Sequence, residues 1–194
     1  MHRLSTSFIL GYHGCDESVA ERLLGGSAFR ASENDYDWLG PGIYFWESNP
    51  RRALSFANEV SKRKGSDIRK PAVVGAVVDL GLCLDLASEA GIAQLKAAYK
   101  TFERLCEVGG VSMPTNSGGE DSLFRRLDCA VIQQFHNIRL ESEEPAVDTV
   151  RGFFIEGEPI YPSAGFRDKA HCQICVCNPL QIKGVFRVSP SELK

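Results

Sequence analysis

The chain has 194 residues, of which 43% are hydrophobic, and its formal net charge at neutral pH is −3. These values suit one domain with a substantial core and argue against a surface coated in positive charge. No apolar run approaches the roughly 18 residues that a membrane helix needs, and the N-terminus lacks the apolar segment of a secretory signal. The seven cysteines are odd in number and irregularly spaced, which argues against a disulfide framework and favours a cytoplasmic protein without membrane attachment.

The chain opens with a short strand and a short amphipathic helix. The strand is predicted over Phe8 to Tyr12 because that run is apolar, and the helix is predicted over Glu17 to Leu24. Asp16 can cap the first turn of this helix, and Gly25-Gly26 can end it. The polar segment from Arg30 to Leu39 is predicted to be a loop that covers another part of the molecule.

A tight turn and an aromatic strand come next. Gly40-Pro41-Gly42 permits the turn, and the run from Ile43 to Glu47 predicts a buried strand. Asn49-Pro50 then opens a second helix, because asparagine is a good N-cap and proline suits the first helical position. Four apolar residues recur at helical spacing along it: Ala53, Phe56, Ala57 and Val60.

The rest of the chain adds strands and two longer helices. Ala72 to Leu80 is almost wholly apolar, which is typical of a central strand. Helices are predicted over Ser88 to Leu105 and over Ser122 to Asn137, separated by a Gly-, Ser- and Pro-rich loop from Gly109 to Glu120. Three further strands are predicted, over Arg151 to Ile155, Cys172 to Val176 and Ile182 to Val188.

The order of these elements decides the predicted fold class. Strands cluster at both ends of the chain, and regular alternation of strands and helices is missing, so a doubly wound parallel sheet is not expected. The pattern predicts a single α+β domain over residues 1–194, with split, mostly antiparallel β-sheets and flanking helices. A helical insertion is predicted at about residues 84–149. Neither a dinucleotide-binding GxGxxG motif nor a P-loop occurs in the sequence.

Three cysteines near the C-terminus raise the question of a metal site. Cys172, Cys175 and Cys177 follow His171 closely, within a run that predicts a strand. Alternation along that strand places Cys175 and Cys177 on one face with Gln173, and Cys172 on the other. Because no second ligand pair stands at zinc spacing, small buried thiols are favoured and no metal is predicted.

Two motifs together carry a resemblance to a known family. Tyr12-His13-Gly14 ends the first strand, and Gly40-Pro41-Gly42-Ile43-Tyr44-Phe45 forms the second. In this order they resemble the nicotinamide pocket of ADP-ribosyltransferases of the diphtheria-toxin and poly(ADP-ribose) polymerase branch. The resemblance spans roughly residues 8–80 and 150–188, and it implies the fold class predicted above with NAD as co-substrate.

The resemblance also implies roles for individual residues. His13 would bind a ribose hydroxyl, the glycine backbone at Gly14 and Gly42 would approach the nicotinamide, and the Tyr44 ring would stack on it. Phe56 is the nearest candidate for a second stacking ring, although a slip of one residue would put Ser55 there. Two aromatic residues, Tyr36 and Trp38, lie in the loop that borders the dinucleotide in this family.

The third family position is where the chain departs from the pattern. The polymerases of the family and many of its transferases carry a glutamate on a late strand. The matching position here is Gln173, so the implied catalytic set is His13, Tyr44 and Gln173. Glutamine can hydrogen-bond a ribose hydroxyl but cannot remove a proton. Chain elongation is therefore not expected, and single transfer requires a reactive acceptor or another base. Glu156 and Glu158 are the available carboxylates that could supply such a base, although solvated acids of a loop are the favoured interpretation of both.

The leading hypothesis is an NAD-dependent mono-ADP-ribosyltransferase that modifies RNA, DNA or protein. A small, single-domain transferase of this kind resembles intracellular toxins of defence or toxin–antitoxin systems. Its partner would then be a neutralising antitoxin. One alternative is a catalytically weak reader of NAD or ADP-ribose. Another is an RNA 2′-phosphotransferase on a related fold, which would need several arginines in its pocket, whereas no arginine closely flanks His13 or Tyr44 in the sequence.

Overall fold

The computed structural model describes residues 8–118 and 124–194. Within these ranges it contains nine strands and four α-helices. Their order along the chain is β1 (Phe8–Asp16), α1 (Glu17–Leu24), β2 (Ile43–Glu47), α2 (Pro50–Ser61), β3 (Pro71–Asp79), β4 (Cys83–Asp85), α3 (Glu89–Gly109), β5 (Asn116–Ser117), β6 (Phe124–Arg125), α4 (Arg126–Glu141), β7 (Thr149–Phe154), β8 (His171–Val176) and β9 (Ile182–Arg187).

Seven of the strands form one mixed sheet in the order β4-β7-β8-β2-β1-β3-β9. Every neighbouring pair in it is antiparallel except β4 with β7. The short strands β5 and β6 form a separate antiparallel pair. The predicted fold class, α+β with mostly antiparallel strands and flanking helices, is therefore confirmed. No helix among the described residues is long and apolar enough to cross a bilayer.

The large sheet opens near its middle. Strands β1 and β2 pair at two positions, Gly11 with Glu47 and Tyr12 with Trp46. Beyond these pairs β1 stays bonded to β3 along its whole length, while β2 pairs with β8. The strands on either side of this opening therefore form two halves of a split sheet.

Local sequence signals explain where the first two helices begin. The Asp16 side chain accepts a hydrogen bond from the Ser18 amide and caps α1, which ends at Gly25 as predicted. The Asn49 side chain accepts from the Arg52 amide and caps α2, with Pro50 in its first turn. Both predicted caps are confirmed.

Two differences between the predicted and the observed boundaries come from strand pairing. The first strand continues past Tyr12 to Asp16, because its pairing with β3 extends that far. The helix predicted from Ser122 begins at Arg126, since Phe124–Arg125 pair with a short strand inside the predicted loop. The first-turn amides of α4 donate to the side chain of Asn116, a cap that is distant in sequence and gives no local signal. The predictions for residues 119–123 lie outside the described residues.

The middle segment places two helices against one face of the sheet. Helices α3 and α4 pack on each other and on β4 and β7 through a buried apolar cluster. On the opposite face, Ile174 and Val176 of β8 join a second cluster, whereas Cys175 belongs to the first. The alternation predicted for β8 is therefore confirmed. Burial of each large aliphatic side chain stabilises the folded state by about 1.5–3 kcal/mol.

Helix α2 lies directly on β1, and the contact depends on a glycine. A Cβ atom at Gly14 would clash with the backbone carbonyl oxygen of Ala53. Backbone atoms cannot move aside as a flexible side chain can, so any larger residue would push α2 away from the strand.

This contact gives a stability prediction. Gly14→Ala should lower the free energy of unfolding by about 1–3 kcal/mol, the usual effect of overpacking, in urea denaturation followed by circular dichroism. Gly184→Ala is the matched control, because a Cβ there meets no atom of the described residues within 4 Å, its two neighbours in the chain apart. An equal effect of the two substitutions would show that α2 does not rest on Gly14.

Candidate functional site

A cleft of about 590 Å³ lies where the two halves of the sheet separate. Its walls come from β1, β2, α2, β8, the 30–38 segment and residues 124–125 and 154–156. The volume falls within the range of small-molecule sites. All of the sequence-predicted site residues line it: His13, Gly14, Tyr36, Gly42, Tyr44, Phe56 and Gln173.

His13 spans the opening between the two strands. Its Nδ1 lies 2.9 Å from the backbone carbonyl oxygen of Tyr44, which can only accept, so Nδ1 carries the proton. Nε2 is then left as a hydrogen-bond acceptor. Burial lowers the pKa of the imidazole, which packs against Phe29 and Phe45, and keeps it neutral at neutral pH.

Tyr44 offers the cleft its ring rather than its hydroxyl. The hydroxyl accepts from the Leu39 amide at 3.0 Å and donates to the Gly40 carbonyl at 2.7 Å. It therefore closes the Gly-Pro-Gly turn, and burial raises its pKa well above the usual value. Tyr44 cannot act as an acid or base here, so its expected contribution narrows to stacking.

Gln173 presents a donor to the cleft. Its Oε1 accepts from the indole N–H of Trp38 at 2.6 Å, and since that group can only donate, the amide orientation follows. The Nε2 amino group is left for a ligand. Trp38 is held in turn by edge-on packing against Phe154, with ring centroids 4.9 Å apart.

Three further predicted residues complete the aromatic and glycine-rich walls. Phe56 lines the cleft, and its ring centroid lies 4.8 Å from that of Trp46, whereas Ser55 is exposed on α2. Of the two candidates for the second stacking position, Phe56 is therefore the one in the cleft. Tyr36 packs edge-on against Phe124 at the rim. Gly42 allows a close approach to β8, because a Cβ there would clash with Cys175.

The interpretation of Glu156 as a solvated loop acid was wrong. The residue is 6% exposed and lines the cleft, where one carboxylate oxygen lies 2.6 Å from the guanidinium of the buried Arg52. The same oxygen is 4.0 Å from Nδ1 of His171. Glu158, by contrast, is exposed and does not line the cleft.

The cleft is also richer in arginine than the sequence suggested. Arg30, Arg52, Arg63 and Arg125 all line it, although none is close to His13 or Tyr44 along the chain. Arg52 pairs with Glu156, and Arg125 pairs with Asp128 and packs over the Phe154 ring. Arg30 and Arg63 are exposed at the mouth.

Sequence reasoning missed Trp46, Arg52 and His171 as cleft residues. Arg52 follows Asn49-Pro50 in a basic helix, where a solvated position is the usual expectation. Its partner Glu156 lies 104 residues away along the chain, so no local pattern joins them. His171 lies on the same face of its strand as Gln173, and this alternation was the one signal in the sequence that could place His171 in the cleft.

Comparison with known proteins adds no relative: no family model, no curated protein and no solved structure matches the chain. The resemblance to ADP-ribosyltransferases therefore depends on the motifs and on the geometry of the cleft.

The bonding of Tyr44 leads to a testable separation of ring and hydroxyl. Tyr44→Phe should lower the free energy of unfolding by about 1–3 kcal/mol, because the buried Leu39 amide loses its acceptor. If the cleft binds NAD as the resemblance implies, NAD binding per folded molecule should be retained, since the ring remains, whereas Tyr44→Ala should weaken it. Calorimetric titration with NAD measures this. Tyr99→Phe is the control, because it removes a hydroxyl that lies outside the cleft and donates to Glu103. Lost binding in Tyr44→Phe would contradict the stacking role.

Proposed function

We propose that the protein is an NAD-dependent mono-ADP-ribosyltransferase that modifies a macromolecular acceptor. The observation that supports this most is convergence: His13, Gly14, Tyr44, Phe56 and Gln173 come from four separate elements and line one cleft. Their order in the sequence matches what the resemblance implies, and so do the residue types, except that Gln173 stands where the family carries a glutamate.

The chemistry available in the cleft suits cleavage of a nicotinamide–ribose bond. The nicotinamide of NAD is already a cationic leaving group, so the protein mainly has to hold the dinucleotide and stabilise an oxocarbenium-like transition state. Aromatic faces at Tyr44 and Phe56 can stack on the cationic ring. The unprotonated Nε2 of His13 can accept from one ribose hydroxyl, and the amino group of Gln173 can donate to another.

Gln173 favours single transfer over polymer synthesis. A glutamate would activate an incoming hydroxyl, whereas the amide of Gln173 can only orient its partner. The product would be one ADP-ribosyl unit on RNA, DNA or protein. A role as an intracellular, cytoplasmic toxin with a neutralising antitoxin is proposed from the resemblance and the size of the chain alone.

Two other functions make different demands on the same cleft. A reader of NAD or ADP-ribose would bind the dinucleotide without turnover. An RNA 2′-phosphotransferase is favoured by the arginines that line the cleft, but Arg52 and Arg125 are paired with carboxylates. It would act on a 2′-phosphorylated RNA and use NAD to accept the phosphate.

Labelled NAD separates these functions. Wild-type protein incubated with adenine-labelled NAD and cell lysate should transfer label to macromolecules, and nuclease and protease treatment should identify the acceptor class. His13→Ala should abolish transfer and also the rise in melting temperature that NAD produces by binding the folded state. Binding without transfer or hydrolysis would favour the reader. NAD-dependent loss of the 2′-phosphate from a 2′-phosphorylated RNA would favour the phosphotransferase.

Gln173 gives the sharpest test of the active site. Gln173→Ala should lower transfer by on the order of 10²-fold, the scale of one lost transition-state hydrogen bond. Gln173→Glu keeps an acceptor for Trp38 but replaces the amino group by a carboxylate oxygen, so NAD hydrolysis should persist or rise. Initial rates of nicotinamide release measure both. Transfer by Gln173→Ala at the wild-type rate would assign this residue to the scaffold.

A further inference from the structure

One wall of the cleft carries polar atoms that nothing in the described chain satisfies. Trp46 pairs directly with Gln173 across β2 and β8, and His171 lies on the same face of β8. Four buried nitrogens have no hydrogen-bond partner among the described residues: the indole Nε1 of Trp46, Nε2 of His171, and Nε and Nη1 of Arg52. All three side chains line the cleft and are at least nine-tenths buried. Nη1 of Arg52 lies 3.7 Å from a carboxylate oxygen of Glu59.

The proton inventory of this wall is fixed by its other hydrogen bonds. Nδ1 of His171 lies 2.6 Å from the Lys169 carbonyl oxygen, so Nδ1 carries the proton and Nε2 holds a free lone pair. Trp46 and Arg52 can only donate. The wall therefore combines three nitrogens with unused donors, one at Trp46 and two at Arg52, with one unused acceptor at His171.

An O–H group satisfies this combination. Its oxygen can accept from Trp46 and Arg52 while its proton is donated to His171. A carboxylate or phosphate has no proton for His171 and would lie beside the carboxylate of Glu156. The Trp46 and His171 rings are neighbours, with centroids 6.1 Å apart.

We propose that Trp46, Arg52 and His171 form the subsite for an oxygen nucleophile, either water or a hydroxyl of the acceptor, and that Nε2 of His171 takes its proton. The binding of an O–H group stands on the geometry alone, whereas the catalytic step depends on the proposed function. His171 would then supply a base on the same strand face as Gln173, the position at which the family carries its glutamate.

The step balances without any further reactant. The nucleophile oxygen forms a bond to the anomeric carbon of the nicotinamide ribose, and the carbon–nitrogen bond breaks. Its electron pair stays on nicotinamide, which leaves as a neutral molecule. The nucleophile's proton passes to His171 and then to solvent.

The charges that face His171 define its expected pH behaviour. Burial is the largest cause and lowers the pKa of the imidazole, and Arg52 lowers it further. The Lys169 carbonyl, Glu156 and Glu59 raise this pKa, and the net direction is downward. The base is therefore neutral and competent at neutral pH. The rate should fall on the acid side, where Nε2 becomes protonated.

Two aromatic substitutions test the catalytic half. His171→Phe keeps a ring against Phe154 but removes Nε2, and should lower nicotinamide release by about 10²–10⁴-fold, the range for general-base catalysis. NAD should still raise the melting temperature, and the acid limb of the pH profile due to His171 should disappear. Trp46→Phe should lower the same rate with its stacking on Phe56 kept. His136→Phe, outside the cleft, should have the wild-type rate.

Product analysis identifies the source of the oxygen. Free ADP-ribose as the product would assign water, and methyl ADP-ribose formed in added methanol would assign a hydroxyl. Either product supports the subsite if His171→Phe lowers its yield. Transfer to nitrogen acceptors alone, unaffected by His171→Phe, would overturn it.

A crystal structure provides a readout that needs no turnover. It should contain an ordered water within hydrogen-bond distance of both Trp46 Nε1 and His171 Nε2. If the crystal structure contains no such water and protein groups bond to these two atoms instead, the subsite is overturned. If the water is present but the wild type neither binds nor cleaves NAD, the proposed transferase function fails while the oxygen-binding site stands.

Discussion

Strands β1 and β2 share two residue pairs, Gly11 with Glu47 and Tyr12 with Trp46, and then separate. The cleft depends on this separation, because each strand keeps a full partner on its other side. His13 joins the diverging strands through its hydrogen bond to the Tyr44 carbonyl, which replaces the ladder bond that is lost there. Helix α2 can then pack over β1, since Gly14 places no Cβ against it.

The hydrogen-bonding capacity of the cleft is set by partner groups that can only donate or can only accept. Carbonyl oxygens at Tyr44 and Lys169 fix the protons of His13 and His171 on Nδ1, and the Trp38 indole fixes the amide of Gln173. The cleft therefore offers acceptors at two imidazoles and donors at Gln173 and Trp46. A ligand with several hydroxyl groups, such as a ribose, matches this alternation.

The parts of the fold that sequence could predict are those determined by neighbours in the chain. Asp16 and Asn49 cap helices within their own first turns, so both helices began where expected. The start of α4 was missed because Asn116 supplies its cap from outside the helix. Likewise, the burial of Arg52 and Glu156 results from their pairing across the folded chain, and a sequence window sees only two charged residues.

The distribution of charge bears on which function the cleft serves. Deep in the wall, Arg52 is neutralised by Glu156, and breaking such a buried pair would cost about 3–5 kcal/mol. At the mouth, the exposed guanidinium groups of Arg30 and Arg63 form no ion pair with the described residues. A 2′-phosphate substrate would need uncompensated positive charge beside the reacting atoms. A dinucleotide needs it at the pyrophosphate, away from the reacting ribose. The arrangement therefore fits the proposed transfer from NAD, with the nicotinamide end inward, better than a site that must hold NAD and a 2′-phosphate together.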